Sequence, residues 1–341
     1  MPFSGHLWIR APNWVGDLVM ATPILREACA SGRYERVSIG VRTHLCEILA
    51  EGPLEENLTP IPSSKDEVGL LSELRPDVAL LLSNSPGAAW RTFRAGVSVR
   101  AGAAIGSRRW FLTHRVAPAT RDGRRFPAPT RDLMTRLAAT VGIEPEGGSE
   151  ARLRLDVGPA TRDTARSVLR ELGLGADEKY CVSAPSAAFG AAKAWPPAHH
   201  AWVLDALHER FGWRGVLCGA PGEEPVLAAV AKAARHPVID LSSTKRTLSL
   251  LKAWIAEAQL VVSSDSGPRW VAGAFDVPCV CLIGPNYPEL TPPLPGSALL
   301  RVEDLECSPC IQRTCPLGHH RCMEELAPER ALAAAIELVS T

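Results

Sequence analysis

A chain of 341 residues, 46% hydrophobic and 22% charged, is long enough for two domains of ordinary size and has the balance of a soluble globular protein. Its 37 basic and 37 acidic side chains cancel to a formal charge of zero, which disfavours a nucleic-acid partner. No signal-peptide pattern opens the sequence and no apolar run reaches the length of a membrane span, so a cytoplasmic location is expected, with the ten cysteines reduced or metal-bound rather than paired as a disulfide framework.

HLWIR at 6–10 reads as a first strand and APNWVG at 11–16 as the loop that follows. Asp17 opens a helix, DLVMATPILREACA, in which Pro23 predicts a kink or a restart. Residues 37–41 form a second strand. Residues 77–82 (DVALLL) form a third, almost wholly apolar, as suits a parallel strand covered on both faces. It ends in the polar loop 83–87, and a helix with Trp90 and Phe93 comes next. This alternation predicts a doubly wound sheet. Eleven arginines lie from Arg91 to Arg136 against only Asp122 and Asp132, which suggests either an anionic partner for one face or a generally solvated basic face.

Residues 143–158 are rich in glycine, proline and charge and read as a linker, with a short strand at 152–157. They divide a first domain, 1–158, from a second, 159–341. A helix at 159–172 is expected next, then strands at 179–183, 215–218 and 238–241 and a helix at 247–258. QLVVSSDSGPRWVAGAFDVPCVCLIGP at 259–285 reads as strand, tight turn, helix, strand. A last helix at 328–339 is free to pack on either domain. Tandem α/β domains gather ligands in a cleft at the carboxyl ends of their strands.

Three loops at such strand ends carry candidate chemistry. Gly16 allows close approach of a ligand, and Asp17 is either a plain N-cap or a general base. Residues 183–196 are nearly devoid of bulky polar groups except Lys193, and form either an anion cradle or a surface loop with a solvated lysine. Glu223, after the strand at 215–218, either meets ribose hydroxyls or complements the next helix N-terminus. At 265–267, Asp265, Ser266 and Gly267 start a helix whose unpaired N–H groups suit a diphosphate.

PNWVGDLVMATP at 12–23, LLSNSPGAAWRTFRAG at 81–96, FGAAKAWP at 189–196, SSDSGPRW at 263–270, IGPNYPELTPP at 283–293 and CSPCIQRTCPLGHHRCM at 307–323 together resemble the ADP-heptose:lipopolysaccharide heptosyltransferase family. The resemblance implies an α/β glycosyltransferase-B fold of two facing Rossmann-like domains. It implies inverting, metal-independent transfer of a heptose from ADP-heptose to a lipid-anchored oligosaccharide acceptor at the cytoplasmic face of the inner membrane, with no cofactor. Asp17 would be the general base. Lys193, Asp265, Ser266, Gly267 and Glu223 would bind the donor, and Asn13, Asn84 and Ser85 the acceptor. Arginines between 91 and 125 would read anionic groups of the acceptor. The alternatives are the same fold with a different nucleotide sugar, or a non-catalytic relative that binds sugar nucleotides.

The chain departs from the family at Trp270, where relatives usually carry a histidine, and at Ala188 and Ala194, where they often have Glu and Arg. Cys307-x2-Cys310-x4-Cys315-x6-Cys322, with His319 and His320, has metal-like spacing. A structural zinc, disulfides and free thiols remain three readings of it.

Overall fold

The computed structural model describes residues 5–121, 124–185 and 189–340. The chain divides into two compact units, Met1–Asp156 and Val157–Thr341.

The first unit is built on six parallel strands, β1 (His6–Arg10), β2 (Arg36–Arg42), β3 (Leu58–Ile61), β4 (Val78–Leu81), β5 (Val99–Ala103) and β6 (His114–Val116), ordered β3-β2-β1-β4-β5-β6. A two-stranded antiparallel ribbon, β7 (Thr120–Arg121) and β8 (Arg124–Arg125), follows. The second unit repeats the plan with β9 (Tyr180–Ala184), β10 (Arg214–Leu217), β11 (Val238–Asp240), β12 (Leu260–Ser264), β13 (Cys279–Leu282) and β14 (Ser297–Leu300), ordered β11-β10-β9-β12-β13-β14. All pairings in the two large sheets are parallel.

Central strands are buried along their whole length in both units, as the apolar runs require. Trp8, Ile61, Leu71, Leu81, Val97 and Leu112 fill one core; Trp195, Leu204, Leu217, Val262 and Leu282 belong to that of the other. The strand order reverses between β1 and β4, and again between β9 and β12. At such a switch point the two flanking loops diverge and leave a crevice beyond the carboxyl ends of the strands. The loops with Asn13 and Asp17 and with Asn84 and Ser85 leave β1 and β4. Those with Lys193 and with Asp265 leave β9 and β12.

Pro23 restarts the chain: helix Val15–Met20 ends and Thr22–Ala30 begins, with the proline in its first turn, where a missing N–H is tolerated. The strand expected at 152–157 is absent. Ala151, Leu153 and Leu155 are buried in alternation with exposed Arg152 and Arg154, so the periodicity is genuine, but no neighbouring strand pairs with the segment. Instead the Arg154 amide donates to Thr22 Oγ1 at 3.3 Å. The last helix, Pro328–Ser340, sets Ala331 and Ala335 into the core of the second unit.

Candidate active site

Asp265 is the centre of the arrangement in the second unit. Its carboxylate, 6% exposed, stands at the end of β12 and meets three donors. Lys193 Nζ gives one hydrogen bond to Oδ2 at 3.0 Å and another to the Asp265 carbonyl at 2.6 Å. Arg269 Nη1 donates to Oδ1 at 2.9 Å, and Asn286 Nδ2 to Oδ2 at 2.6 Å. Burial alone would raise the Asp265 pKa, but Lys193, Arg269 and the Asn286 hydrogen bond reverse this and hold it below the usual carboxylate range. Two buried cations thus share one buried anion, which leaves the cluster with excess positive charge.

Lys193 is 7% exposed, so it is not the solvated lysine of a surface loop. It uses two of its three donors on Asp265. Ser266 is the N-cap of helix Gly267–Ala274, and its side chain caps none of the helix amides. Its hydroxyl lies 3.1 Å from Ser263 Oγ instead. That helix start retains the positive end of the dipole for a ligand.

The loop that carries Lys193 is braced by the cysteine-rich segment. Gly190 has φ +148°, and a Cβ there would sit 2.4 Å from the Arg313 carbonyl oxygen. The Ala192 amide donates to that same oxygen at 3.0 Å, and His320 Nε2 is 2.8 Å from the Ala192 carbonyl. Trp195 Nε1 donates to the Leu326 carbonyl at 2.9 Å. All ten cysteines are free thiols. Cys307, Cys310, Cys315 and Cys322 line one cavity of about 20 Å³ together with His319 and His320. Burial and the neighbouring Cys310, Cys307 and Cys315 push the Cys322 thiol up to about 11, whereas backbone amides of 317–320 pull Cys315 down. Among the described residues no group of three or more His, Cys, Asp or Glu side chains is assembled to hold a metal ion. Ser186, Ala187 and Ala188 of the expected cradle lie outside the described residues.

Glu223 is the N-cap of helix Glu224–Ala233, but its side chain caps none of the helix amides. Its Oε2 accepts from the Ala220 amide at 2.7 Å and closes the turn before helix Glu224–Ala233. Trp270 is 3% exposed, with the Arg269 guanidinium 4.5 Å above its ring. The indole is therefore part of the core.

In the first unit Asp17 lies in the first turn of helix Val15–Met20, whose N-cap is Trp14. The helix begins two residues earlier than expected, so Asp17 is not the cap. Its position is half-buried at the carboxyl end of β1. The loop beside it is fixed from below. Arg10, 1% exposed, donates from Nη2 to Asn13 Oδ1 at 2.9 Å and from Nε to Glu67 Oε1 at 2.9 Å. Glu67, fully buried, takes Arg91 Nε on its other oxygen at 2.6 Å. Asn13 Nδ2 then donates to Ser83 Oγ at 3.3 Å, which ties the loop after β1 to the one after β4. Ser85 is the N-cap of helix Pro86–Arg94. Asn84, exposed, accepts from Arg108 Nη1 at 3.2 Å. Arg108 is fully buried, its Nε and Nη2 have no hydrogen-bond partner among the described residues, and burial lowers its pKa to about 10.

Four residues of this arrangement have no individual role in the sequence reading. Arg269 had a signal, since it stands four residues after Asp265 on a helix, the spacing of a same-face ion pair. Asn286 lies in IGPN, where the motif alone did not say which group it meets. Arg10 and Glu67 meet only through the order of the sheet, and no local pattern connects positions 57 residues apart.

The model of glycosyltransferase family 9 (heptosyltransferase) matches residues 70–321. The chain belongs to that family. It is thus a glycosyltransferase, with the glycosyltransferase-B class of architecture, two Rossmann-like units with parallel sheets. Similar relatives include the lipooligosaccharide heptosyltransferase 2 of Haemophilus influenzae, 26% identical over 98% of this chain and 99% of that protein. The lipopolysaccharide heptosyltransferase 2 of Escherichia coli is 27% identical over 94% of each. Among solved structures, the E. coli ADP-heptose LPS heptosyltransferase II superposes with a TM-score of 0.78 at 22% identity, covering 98% of both chains. Asp17, Lys193 and Asp265 lie in the segments that follow β1, β9 and β12, where strand order reverses in the two sheets.

Proposed function

We propose that this glycosyltransferase transfers a heptose from ADP-heptose to the inner core of a lipopolysaccharide acceptor, with inversion at the anomeric carbon, at the cytoplasmic face of the inner membrane. The observation that carries the reading is the buried Lys193–Asp265–Arg269 cluster at the β9/β12 switch point, in a chain similar over nearly its full length to heptosyltransferases 2. The second unit binds the donor. Negative charge that builds on the departing ADP is met by Lys193 and by the amides that start helix Gly267–Ala274. The first unit binds the acceptor through Asn13, Asn84 and Ser85, and Asp17 takes the proton of the attacking hydroxyl.

Turnover tests this reading. Purified protein given ADP-heptose and a Kdo-lipid acceptor should release ADP, and neither substrate alone should. ADP bound without transfer to any acceptor would point to a non-catalytic binder. A second reading, the same fold with a different nucleotide sugar, rests on Trp270, because a buried indole replaces the expected histidine. A donor panel in a thermal-shift assay separates the two: ADP-heptose should give the largest rise in melting temperature.

Arg108 supports an acceptor site beside Asn84. A fully buried guanidinium with two orphaned donors costs stability, and its one side-chain partner is an exposed loop amide. Arg108→Met is expected to leave the melting temperature unchanged or higher while raising acceptor KM roughly tenfold, the order of one charge-assisted hydrogen bond, with donor KM unaltered. A melting temperature lowered together with an unchanged acceptor KM would make Arg108 purely structural.

A further inference from the structure

Between Asp77 and Asp122 the chain has no acidic residue but seven arginines. Four of these are engaged within the fold: Arg91 on Glu67, Arg100 on the carbonyls of Phe111 and Ser98, Arg108 on Asn84, and Arg115 on the Leu112 carbonyl. Arg94 and Arg109 are exposed, and among the described residues neither has an ion-pair partner.

The same stretch exposes large aromatics. Trp90 is 45% exposed, Phe93 50% and Trp110 67%, with Trp14 at 50% in the loop after β1. The other large hydrophobics that stand exposed among the described residues are aliphatic, Leu172, Ile311 and Leu317, all in the second unit. Trp90, Phe93 and Arg94 share a face of helix Pro86–Arg94 by their i, i+3, i+4 spacing. The short 3-10 turn Gly106–Phe111 lies against that helix: the Phe93 and Phe111 rings are 5.5 Å apart. The Arg109 guanidinium sits 4.8 Å over the Trp110 ring, and Arg100 lies 5.4 Å over Phe93. Aromatic rings interleaved with unpaired guanidinium groups, and no carboxylate nearby in sequence, are chemically matched to the zone where lipid phosphates meet acyl chains.

We propose that this face, formed by Trp90, Phe93, Arg94, Arg109 and Trp110, docks onto an anionic phospholipid bilayer. The rings enter the interfacial zone and the two arginines meet lipid phosphates. The helix starts directly after Asn84 and Ser85, so docking would hold that loop against the lipid surface; the placement rests on the proposed use of a lipid-anchored acceptor.

The test is co-sedimentation of the full chain with vesicles of phosphatidylcholine, with and without phosphatidylglycerol. Wild type should partition onto the anionic vesicles and less so onto neutral ones, with binding weakened by added salt. Arg94→Glu/Arg109→Glu should lower the partition coefficient about tenfold or more, since two attractions become repulsions. Trp90→Ala/Trp110→Ala should lower it by a similar order, with an unchanged melting temperature. Equal partition of wild type and both variants, or no partition of wild type, overturns the proposal. So does vesicle-independent sedimentation lost in the same variants, which would assign the face to a second copy of the chain. Trp90→Ala/Trp110→Ala should also keep the wild-type rate of ADP release on a delipidated acceptor and lose rate on a vesicle-embedded one. If wild type releases no ADP from either acceptor, the transferase reading fails while the vesicle measurement still decides the surface.

Discussion

Asp265→Ala is expected to destabilise the protein by about 3–5 kcal/mol, the usual cost of breaking a buried pair by removing one partner. The reason is what remains. Lys193 and Arg269 stay in place, 7% and 2% exposed, with their shared anion gone. Arg269 keeps the carbonyls of Thr291 and Pro292, and Lys193 keeps the carbonyl of residue 265, so both retain dipoles but lose the opposing charge. Asn286 loses its acceptor as well. Asp265→Asn should be milder, because the amide oxygen still accepts. Chemical unfolding monitored by far-ultraviolet circular dichroism measures both, and a loss below about 1 kcal/mol for the alanine variant would place the cluster in the class of weak, solvent-screened pairs. The pH dependence has a definite sign. The folded-state pKa of Asp265 is depressed, so its contribution is present above the ordinary carboxylate range near 4 and disappears as pH falls through the lower folded value. Wild type should therefore lose more stability than Asp265→Asn on acidification below about pH 4.

That cluster also shows why some of the site was legible and some was not. Lys193 and Asp265 stand 72 positions apart, yet each follows an apolar run that reads as a parallel strand. Once the two runs are neighbours in a doubly wound sheet, their following loops must share a switch point. Strand order did the work of bringing them together. What the loops do with their side chains was not legible. A lysine after a small-residue loop reads equally as an anion cradle or a solvated surface group, and burial removes the second reading. Glu223 shows what sequence spacing hides in another way: its carboxylate accepts from the amide three residues before it, in the turn ahead of its helix. The strand expected at 152–157 failed for a related reason: alternation records which side chains are covered, not whether a ladder partner exists. In the first unit, Arg10 reads as the tail of a hydrophobic strand. Its role in fixing Asn13 depends on Glu67, which reaches it only after the crossover from β3 to β4.

The acceptor half makes the complementary demand. Asp17→Asn is expected to lower kcat by about 10²–10⁴-fold, the range supplied by a positioned general base. The amide preserves the size of the side chain and removes its ability to take a proton. Donor KM should change little, since the residues assigned to the nucleotide sugar all belong to the second unit. Folding should change less than turnover. Asp17 lies in the first turn of helix Val15–Met20 rather than at its cap, so neutralising it removes a dipole interaction of about 0.3–1 kcal/mol. The informative pair of measurements is kcat for ADP release beside the melting temperature. A large fall in the first with the second held constant separates chemistry from scaffold. An unchanged kcat would show that another group removes the proton, and a melting temperature that falls in step with activity would make Asp17 a structural residue of the loop. The two discussed substitutions thus differ in what they remove: Asp265→Ala strands two buried cations and acts first on folding, whereas Asp17→Asn removes the proposed proton acceptor and acts first on turnover.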